Sequence, residues 1–199
     1  MSSHFDAETA SDPIALFGDW LRAASESEGD DPNAMSLATA TAGGRPSVRI
    51  VLLKRVDKAG FVFYTNAESR KGVEMLANPH VALCFHWKSL RRQVRVEGMV
   101  HDLPGEDADA YFHSRSRSSQ IGALASEQSR PLASREELES RAQALEERYP
   151  GEVPRPGYWR GFVVLPETIE FWQDGPHRLH DRIVFTRTVD GWRKTRLCP

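Results

Sequence analysis

The chain has 199 residues, of which 40% are hydrophobic and 27% are charged. That length is enough for one domain whose hydrophobic core needs neither disulfides nor a structural metal. The formal net charge of −2 excludes a broadly basic surface for nucleic acid, and the apolar runs are too short to span a bilayer.

The N-terminal segment, residues 1–11, is polar and acidic and lacks the features of a signal peptide. We expect it to be disordered or loosely attached, and we expect residues 12–199 to form a single domain. The two cysteines, Cys84 and Cys198, lack the Cys-x-x-Cys spacing of a thiolate metal site. These features predict a cytoplasmic protein with no metal site and no nucleic-acid or membrane partner.

The first regular element is predicted to be a helix that begins at Asp12 and Pro13, since these residues suit a cap and a first turn. Alternating patterns and turn residues then predict strands over residues 35–41, 46–56, 61–65, 80–87, 92–103, 161–172, 182–188 and 192–197. Further helices are expected over residues 69–77, 106–115 and 135–148. Many short strands with interleaved helices indicate a small antiparallel β-barrel with helices packed outside.

Two basic residues mark the ends of an apolar stretch in the second strand. Arg49 and Lys54 have opposite parity, so they point to opposite faces of a regular strand. They could serve two different anions, or they could be two solvated strand ends.

A second basic group follows the third strand. Tyr64 and Thr65 end that strand, and Arg70 and Lys71 lie in the first turn of the next helix. Cations there oppose the helix dipole, which a bound phosphate would offset. The alternative is a solvated basic helix start.

Polar side chains with suitable chemistry recur further along the chain. Tyr111 and Arg115 share one helical face, and Ser119 could join them from a loop to bind a phosphate monoester. The Gln93 amide could form hydrogen bonds with the edge of a ligand ring that carries both donors and acceptors. Gln128 and Ser129 offer further hydrogen-bonding groups. Each of these patterns also suits an ordinary polar surface.

The last polar stretch follows a Gly-Pro turn. If it is extended, Arg178, His180 and Arg182 share one face, where they could position an anionic ring or a phosphate. A solvated loop is the alternative. His177 and His180 have no carboxylate and histidine set at convincing metal-ligand spacing.

Several strings together resemble the pyridoxine/pyridoxamine 5′-phosphate oxidase family. Among them are RIVLLK (residues 49–54), SRK (69–71), YFHSR (111–115), EFW (170–172) and RLHDR (178–182). Their order and spacing match over nearly the whole chain. The resemblance implies an FMN-binding split β-barrel, antiparallel and Greek-key-like with peripheral helices, that works as a homodimer with FMN at the subunit interface.

The resemblance also implies roles for individual residues. The FMN contacts would be Arg49, Ile50, Val51, Leu52, Leu53, Tyr64, Thr65, Arg70, Lys71, Gln93, Gln128, Ser129, Trp172 and Arg182. The substrate would be bound by Lys54, Tyr111, Arg115, Ser119, Arg178, Leu179 and His180. Arg178 and His180 would lie over the substrate ring near the reacting carbon, as the catalytic pair.

The implied reaction oxidises pyridoxamine or pyridoxine 5′-phosphate to pyridoxal 5′-phosphate. A hydride passes from the C4′ carbon to flavin N5, and O2 is reduced to hydrogen peroxide. Two alternatives are a flavin oxidase of the same fold with another substrate, such as a phenazine precursor, and a non-catalytic protein that binds flavin or pyridoxal phosphate.

Overall fold

The computed structural model describes residues 5–199. The helices in this range are α1 Pro13–Ser27, α2 Arg70–Ala77, α3 Gly105–Ser114, α4 Arg117–Ala125 and α5 Arg135–Arg148. The strands are β1 Ala34–Ala40, β2 Pro46–Leu52, β3 Arg55–Asp57, β4 Gly60–Asn66, β5 His80–Trp87, β6 Arg92–Asp102, β7 Trp159–Gln173, β8 Asp181–Thr188 and β9 Gly191–Arg196.

All nine strands belong to one antiparallel sheet, in the order β2-β1-β5-β6-β7-β4-β3 with β8 and β9 added at β7. β7 organises the sheet because it pairs with three strands. Its first half pairs with β4, its second half pairs with β8, and β6 runs along most of its length. A register shift between Glu97 and Gly98 interrupts the β6–β7 ladder and increases the local bend of the sheet. The expected mainly β architecture with peripheral helices is confirmed.

The main core lies between α1 and the sheet. Phe17 of α1 makes edge contacts with Phe61 and Phe85, with ring centroids 4.9 and 4.8 Å apart, and Trp20 packs on Phe171 at 5.1 Å. Such aromatic pairs stabilise the fold beyond the burial of their surface.

A second, smaller core holds α3 and α4 against one end of β7. Phe112 and Ile121 are buried there with Trp159, and the Phe112 and Trp159 rings are 5.2 Å apart. This packing places the first turn of α4 and the last turn of α3 beside β4. The functional cleft described below forms at that junction.

The described part of the N-terminal segment contacts the domain at Phe5 and Ala7, whereas Glu8, Thr9 and Ser11 are exposed. Residues 1–4 lie outside the described residues, so the expectation of a loosely attached segment stays a prediction. Phe5 is 3% exposed, and its ring lies 6.2 Å from that of Trp20. Lys194 contacts two backbone carbonyls of the segment. One aromatic residue therefore docks a segment whose average composition is that of a loose tail.

The structure corrects one predicted strand boundary and adds one helix. The strand expected over residues 46–56 ends at Leu52, and Lys54 instead donates its backbone N–H to the carbonyl of Val62 at 2.8 Å. The helix α4 was not predicted, although Ser116 caps it by accepting a hydrogen bond from the Ser119 N–H.

Within residues 5–199, no helix is long and apolar enough to cross a membrane. No group of three or more histidines, cysteines or acidic residues in that range is arranged to hold a metal ion. Cys84 and Cys198 are both unpaired.

Candidate active site

A cleft of about 740 Å³ opens between β2, β4 and the helices α3 and α4. It brings together eleven of the predicted site residues, namely Ile50, Val51, Leu52, Lys54, Tyr64, Thr65, Lys71, Tyr111, Arg115, Ser119 and Gln128. Members of the predicted flavin set and of the predicted substrate set therefore line the same cavity, although they are far apart in the sequence.

Three aromatic rings stack along one side of the cleft. The Tyr64 ring lies 4.2 Å from that of Tyr111 and 5.4 Å from that of Trp159. The Lys54 ammonium lies 5.7 Å from the Tyr111 ring, and the Arg115 guanidinium lies 5.0 Å from the Trp159 ring. The stack therefore holds both cations at this end of the cleft by cation–π contact. Trp159 was not predicted, because its role appears only when β7 pairs with β4.

The substrate-side polar group differs from expectation in one respect. Ser119 lies in the first turn of α4 and not in a loop, and its hydroxyl accepts a hydrogen bond from Ser116 at 2.8 Å. Arg115 lies between α3 and α4, and burial lowers the pKa of its guanidinium. Its Nη1 is buried without a hydrogen-bond partner in the part of the chain that the structure describes. A buried donor of this kind is suited to an anionic ligand.

The buried carboxylate of Glu74 contacts two cations of the second basic group, Arg49 and Arg70. The Glu74 carboxylate accepts hydrogen bonds from Thr39 and Ser47, each at 2.5 Å, and from Arg70 Nε at 2.9 Å. Arg49 Nη2 lies 3.5 Å from the same carboxylate. Burial by itself would raise the pKa of Glu74, but the hydrogen bonds from Ser47, Thr39 and Arg70 lower it to about 2. Glu74 therefore stays ionised and holds Arg49 and Arg70 beside each other.

Lys71 is the third cation of this group. Its ammonium donates to Gln128 Oε1 at 2.9 Å and to Ser69 Oγ at 3.1 Å. The Arg70 N–H donates to Ser129 Oγ at 3.2 Å. Burial, with a smaller contribution from Arg49, lowers the pKa of Lys71 to about 8. Among the described residues, the hydrogen-bond partners of the ammonium are neutral. No carboxylate therefore offsets the free-energy cost of burying its positive charge.

A different part of the sheet carries three further residues that were predicted to contact FMN. Gln93 of β6 lies directly opposite Trp172 of β7, which lies opposite Arg182 of β8. Residues directly opposite each other in antiparallel strands share one face. Arg182 also donates to Glu170 Oε1 at 2.8 Å. We call Gln93, Trp172 and Arg182 the cross-strand row.

The loop before β8 corrects the expected alternation of Arg178, His180 and Arg182. Residues Pro176–Arg178 form a 3-10 turn in which His177 and Arg178 have φ values of 57° and 65°. The stretch is therefore folded back and not extended. Arg178 and Leu179 are exposed, whereas His180 lies against the Trp172 ring at 4.8 Å.

The cleft and the cross-strand row lie at opposite ends of β7. Trp159 lines the cleft, and Trp172 stands thirteen residues further along the strand. That separation corresponds to roughly 40 Å along the strand, at about 3.3 Å per residue. No member of the row lines the cleft. The cross-strand row is thus separate from the cleft within one chain, and Arg70 and Ser129 line a further pocket with Glu74.

Comparison with known proteins decides the family. Residues 21–149 match the family model described as pyridoxamine 5′-phosphate oxidase. The chain belongs to the pyridoxine/pyridoxamine 5′-phosphate oxidase family. Residues 159–199 match the model for the C-terminal dimerisation region of pyridoxine 5′-phosphate oxidase, so β7, β8 and β9 form the family's dimerisation region.

Individual relatives agree with this membership. A pyridoxine/pyridoxamine 5′-phosphate oxidase from Gluconobacter oxydans is 64% identical over 189 residues, covering 94% of each chain. Its counterpart from Rhodospirillum rubrum is 60% identical over 194 residues, covering 94% of this chain and 96% of the relative. The expectation of an oxidoreductase of this family is confirmed.

Two solved structures share the fold of this chain. PhzG from Burkholderia lata, in complex with tetrahydrophenazine-1-carboxylic acid, superposes with a TM-score of 0.94 at 31% identity, covering 100% of this chain and 99% of that one. An FMN-binding protein related to pyridoxamine 5′-phosphate oxidase, from Nostoc punctiforme, gives 0.76 at 15% identity, with coverage of 96% and 100%. The predicted split-barrel fold is confirmed.

Proposed function

We propose that the chain is an FMN-dependent oxidase that converts pyridoxamine or pyridoxine 5′-phosphate to pyridoxal 5′-phosphate. The observation that carries the proposal is the pair of separate cationic sites formed by Arg49 within β2 and by Lys54 just beyond its end. The Arg49 side chain lies against Glu74 of α2, whereas Lys54 lies against Tyr111 of α3. The short segment of residues 49–54 thus supplies cations to two surroundings, as a flavin phosphate and a substrate phosphate require.

The residues around α2 fit the phosphate of FMN. Arg49 and Arg70 share one carboxylate, Glu74, and the Lys71 ammonium contacts the neutral groups of Ser69 and Gln128, which leaves an excess of two positive charges. A phosphate monoester carries between one and two negative charges near neutral pH. The lowered pKa of Lys71 supports this assignment, because a bound phosphate would remove the cost of burying that ammonium. Gln128 and Ser129 would add polar contacts.

The residues between α3 and α4 fit the phosphate of the substrate. Lys54 and Arg115 supply charge, the Tyr111 and Ser119 hydroxyls supply hydrogen bonds, and the partnerless Arg115 Nη1 supplies a buried donor. The N-terminal N–H groups of α4 add a favourable dipole.

Bound FMN would supply the acceptor for a hydride from the substrate C4′ carbon, with O2 as the final oxidant. The chain's own part is to neutralise two phosphates and to orient two rings against each other. Arg178 and His180 would orient the reacting end of the substrate, and Leu179, which is 71% exposed, would contact it.

The active unit is proposed to be a homodimer with FMN at the subunit interface. The separation of the cleft from the cross-strand row supports this arrangement, since one flavin cannot contact both ends of β7 in a single chain. In the dimer, Gln93, Trp172 and Arg182 of one protomer would complete the cleft of the other. We also propose a cytoplasmic location, with which two unpaired cysteines agree.

A phenazine-precursor oxidase is the nearest alternative, because the PhzG structure shares the fold closely. Two observations favour the vitamin substrate. The relatives named pyridoxine/pyridoxamine 5′-phosphate oxidase are about twice as similar in sequence as PhzG. In addition, Lys54, Tyr111, Arg115 and Ser119 converge on one side of the cleft, and a substrate without a phosphate would not need them.

The direct test is aerobic turnover. Purified protein reconstituted with FMN should convert pyridoxamine 5′-phosphate to pyridoxal 5′-phosphate and release hydrogen peroxide. Uptake of flavin without formation of aldehyde would favour the non-catalytic alternative, and failure to take up FMN would contradict both oxidase assignments.

Two variants in the same assay separate the phosphate sites. Arg115→Ala should raise the KM for substrate roughly 10- to 100-fold, because charge-assisted hydrogen bonds are worth roughly 1.5–3 kcal/mol. Its FMN Kd should hardly change. Arg49→Ala should instead weaken FMN binding, with little effect on KM at saturating flavin. Equal losses of both affinities in either variant would contradict the two-site assignment.

A further inference from the structure

The ring of His180 is held by its Nδ1 atom between an acceptor and a donor. Asp174 Oδ1 lies 3.0 Å from Nδ1, and the Gly175 N–H lies 3.2 Å from the same atom. Both side chains are mostly buried, at 18% exposed for His180 and 15% for Asp174. A single ring nitrogen cannot donate to one partner and accept from the other at once, so the two contacts compete.

The carboxylate is the stronger partner. Two lone pairs facing each other would repel, so an ionised Asp174 requires the proton of the neutral ring to be on Nδ1. A charged acceptor also forms a stronger hydrogen bond than a neutral backbone donor does. Asp174 therefore selects the Nδ1–H tautomer and leaves Nε2 as the acceptor of the ring.

Asp174 is itself fixed from two sides. Its backbone N–H donates to the Arg91 carbonyl at 3.0 Å, and its Oδ2 is paired with the Arg91 guanidinium. Arg91 has a φ of 52°, which turns its backbone toward the end of β7. The ion pair with Arg91 uses Oδ2 only, so it does not explain why Oδ1 faces the imidazole.

The geometry of the loop keeps the His180 imidazole within hydrogen-bonding distance of Asp174. A Cβ atom at Gly175 would lie 2.1 Å from the Leu179 carbonyl oxygen, so this close turn requires glycine. The Trp172 ring lies 4.8 Å from the imidazole on another side. The ring is thus packed on one side and hydrogen-bonded at one nitrogen.

We propose that Asp174 is a positioning residue that sets the tautomer and the orientation of His180. The assignment rests on the proposed function, in which His180 touches the substrate. Asp174 contacts neither ligand in this scheme, and it acts only by presenting Nε2 of the ring as an unprotonated acceptor toward the reacting end of the substrate.

The tautomer can be observed without any turnover. In flavin-free protein labelled with 15N-histidine, at about pH 9, where an ordinary imidazole is neutral, NMR should show His180 with its proton on Nδ1. In Asp174→Asn the ionised acceptor is lost, so the Gly175 N–H should donate to an unprotonated Nδ1. The proton of the neutral ring should then be on Nε2. Asp181→Asn is the matched control, because Asp181 follows His180 directly but pairs with Arg196 at 2.7 Å. An unchanged tautomer in Asp174→Asn would overturn the proposal.

Kinetics test whether the effect passes through the imidazole. Asp174→Asn should lower kcat/KM for pyridoxamine 5′-phosphate about tenfold, or about 1.4 kcal/mol, with the FMN Kd unchanged. In a His180→Asn background the same substitution should have almost no further effect, because coupled residues are not additive. Additive losses would indicate a merely structural Asp174 and would contradict the proposal.

The two arms separate the possible failures. If the protein oxidises no B6 vitamer, the proposed function fails, while the NMR result still decides whether Asp174 controls the imidazole. If turnover is present and the tautomer does not respond, only the role of Asp174 fails.

Discussion

At the scale of one residue, the buried Lys71 ammonium lowers the free energy of unfolding. Its ammonium is buried with neutral partners, and its pKa falls from 10.5 to about 8. The charged form is therefore less favourable in the folded chain than in the unfolded one. Below about pH 8 the full cost is present, and between about pH 8 and 10.5 it is relieved, because the unfolded chain there binds more protons.

The cost of burying the Lys71 ammonium predicts how the substitution Lys71→Met changes the stability of the flavin-free protein. At pH 7 the variant should be more stable than the wild type, by on the order of 1 kcal/mol, and it should bind FMN less tightly. The stability difference should narrow as the pH approaches 10. Urea unfolding at several pH values measures it, and a difference that does not change with pH would contradict the burial argument.

Glu74 shows the opposite case at the same scale. Its pKa of about 2 means that the ionised carboxylate is stabilised by the folded state. This contribution is complete above the ordinary carboxyl range and is lost as the pH falls toward 2. Glu74 thus stabilises the neighbouring arginines, whereas in the proposed function a bound phosphate would offset the burial of Lys71.

At the scale of elements, the pairing of β4 with β7 shapes the cleft. Tyr64 lies opposite Gly161 in the ladder, and a Cβ atom at Gly161 would lie 2.8 Å from Tyr64 Cε1 and 3.0 Å from Leu103 Cδ1. Glycine at this point leaves room for the Tyr64 ring, whose plane lies nearly parallel to those of Tyr111 and Trp159. The strand pairing and the aromatic stack therefore depend on each other.

We expect Gly161→Ala to disturb the cleft without unfolding the protein. The tyrosine ring must move, so FMN affinity should fall about tenfold, and stability should fall by roughly 1–3 kcal/mol, as is usual for overpacking. Flavin titration and thermal unfolding measure the two effects. Gly157→Ala is the control, because no atom lies within 4 Å of its added Cβ. Equal effects of the two substitutions would contradict the steric argument.

At the scale of the whole molecule, the proposed interface site predicts complementation between impaired variants at substrate concentrations well below the KM of Arg115→Ala. Arg115→Ala weakens substrate binding in the cleft, and His180→Ala impairs the loop at the other end of β7. In a mixed dimer one composite site contains both substitutions and the other contains neither. Random mixing by co-expression should therefore restore about one quarter of the wild-type sites in a two-fold symmetric dimer.

The control for this experiment pairs two variants of the same cleft. Co-expression of Arg115→Ala with Lys54→Ala should restore nothing, because every composite site then carries one substitution. Specific activity per bound flavin is the measurement. If the first pair also failed to recover activity, both groups of residues would have to come from one chain, and the interface site would be refuted.

The sequence by itself determined the features that depend on short spacing. The alternation of residues 35–41 and 80–87 predicted β1 and β5, since side-chain direction in a strand follows from parity alone. Opposite parity also predicted different surroundings for Arg49 and Lys54, which the structure shows although Lys54 lies beyond the end of β2. Family strings then assigned residues to a flavin and to a substrate.

The tertiary structure decided which distant residues meet. Asp174 reaches His180 only because the loop between them folds back, and Glu74 joins Arg49 to Arg70 only because α2 packs beside β1 and β2. Phe5 docks on Trp20 although its surroundings in the sequence are polar. These contacts depend on strand register, loop geometry and close packing over long sequence separations, and local periodicity carries no information about any of the three.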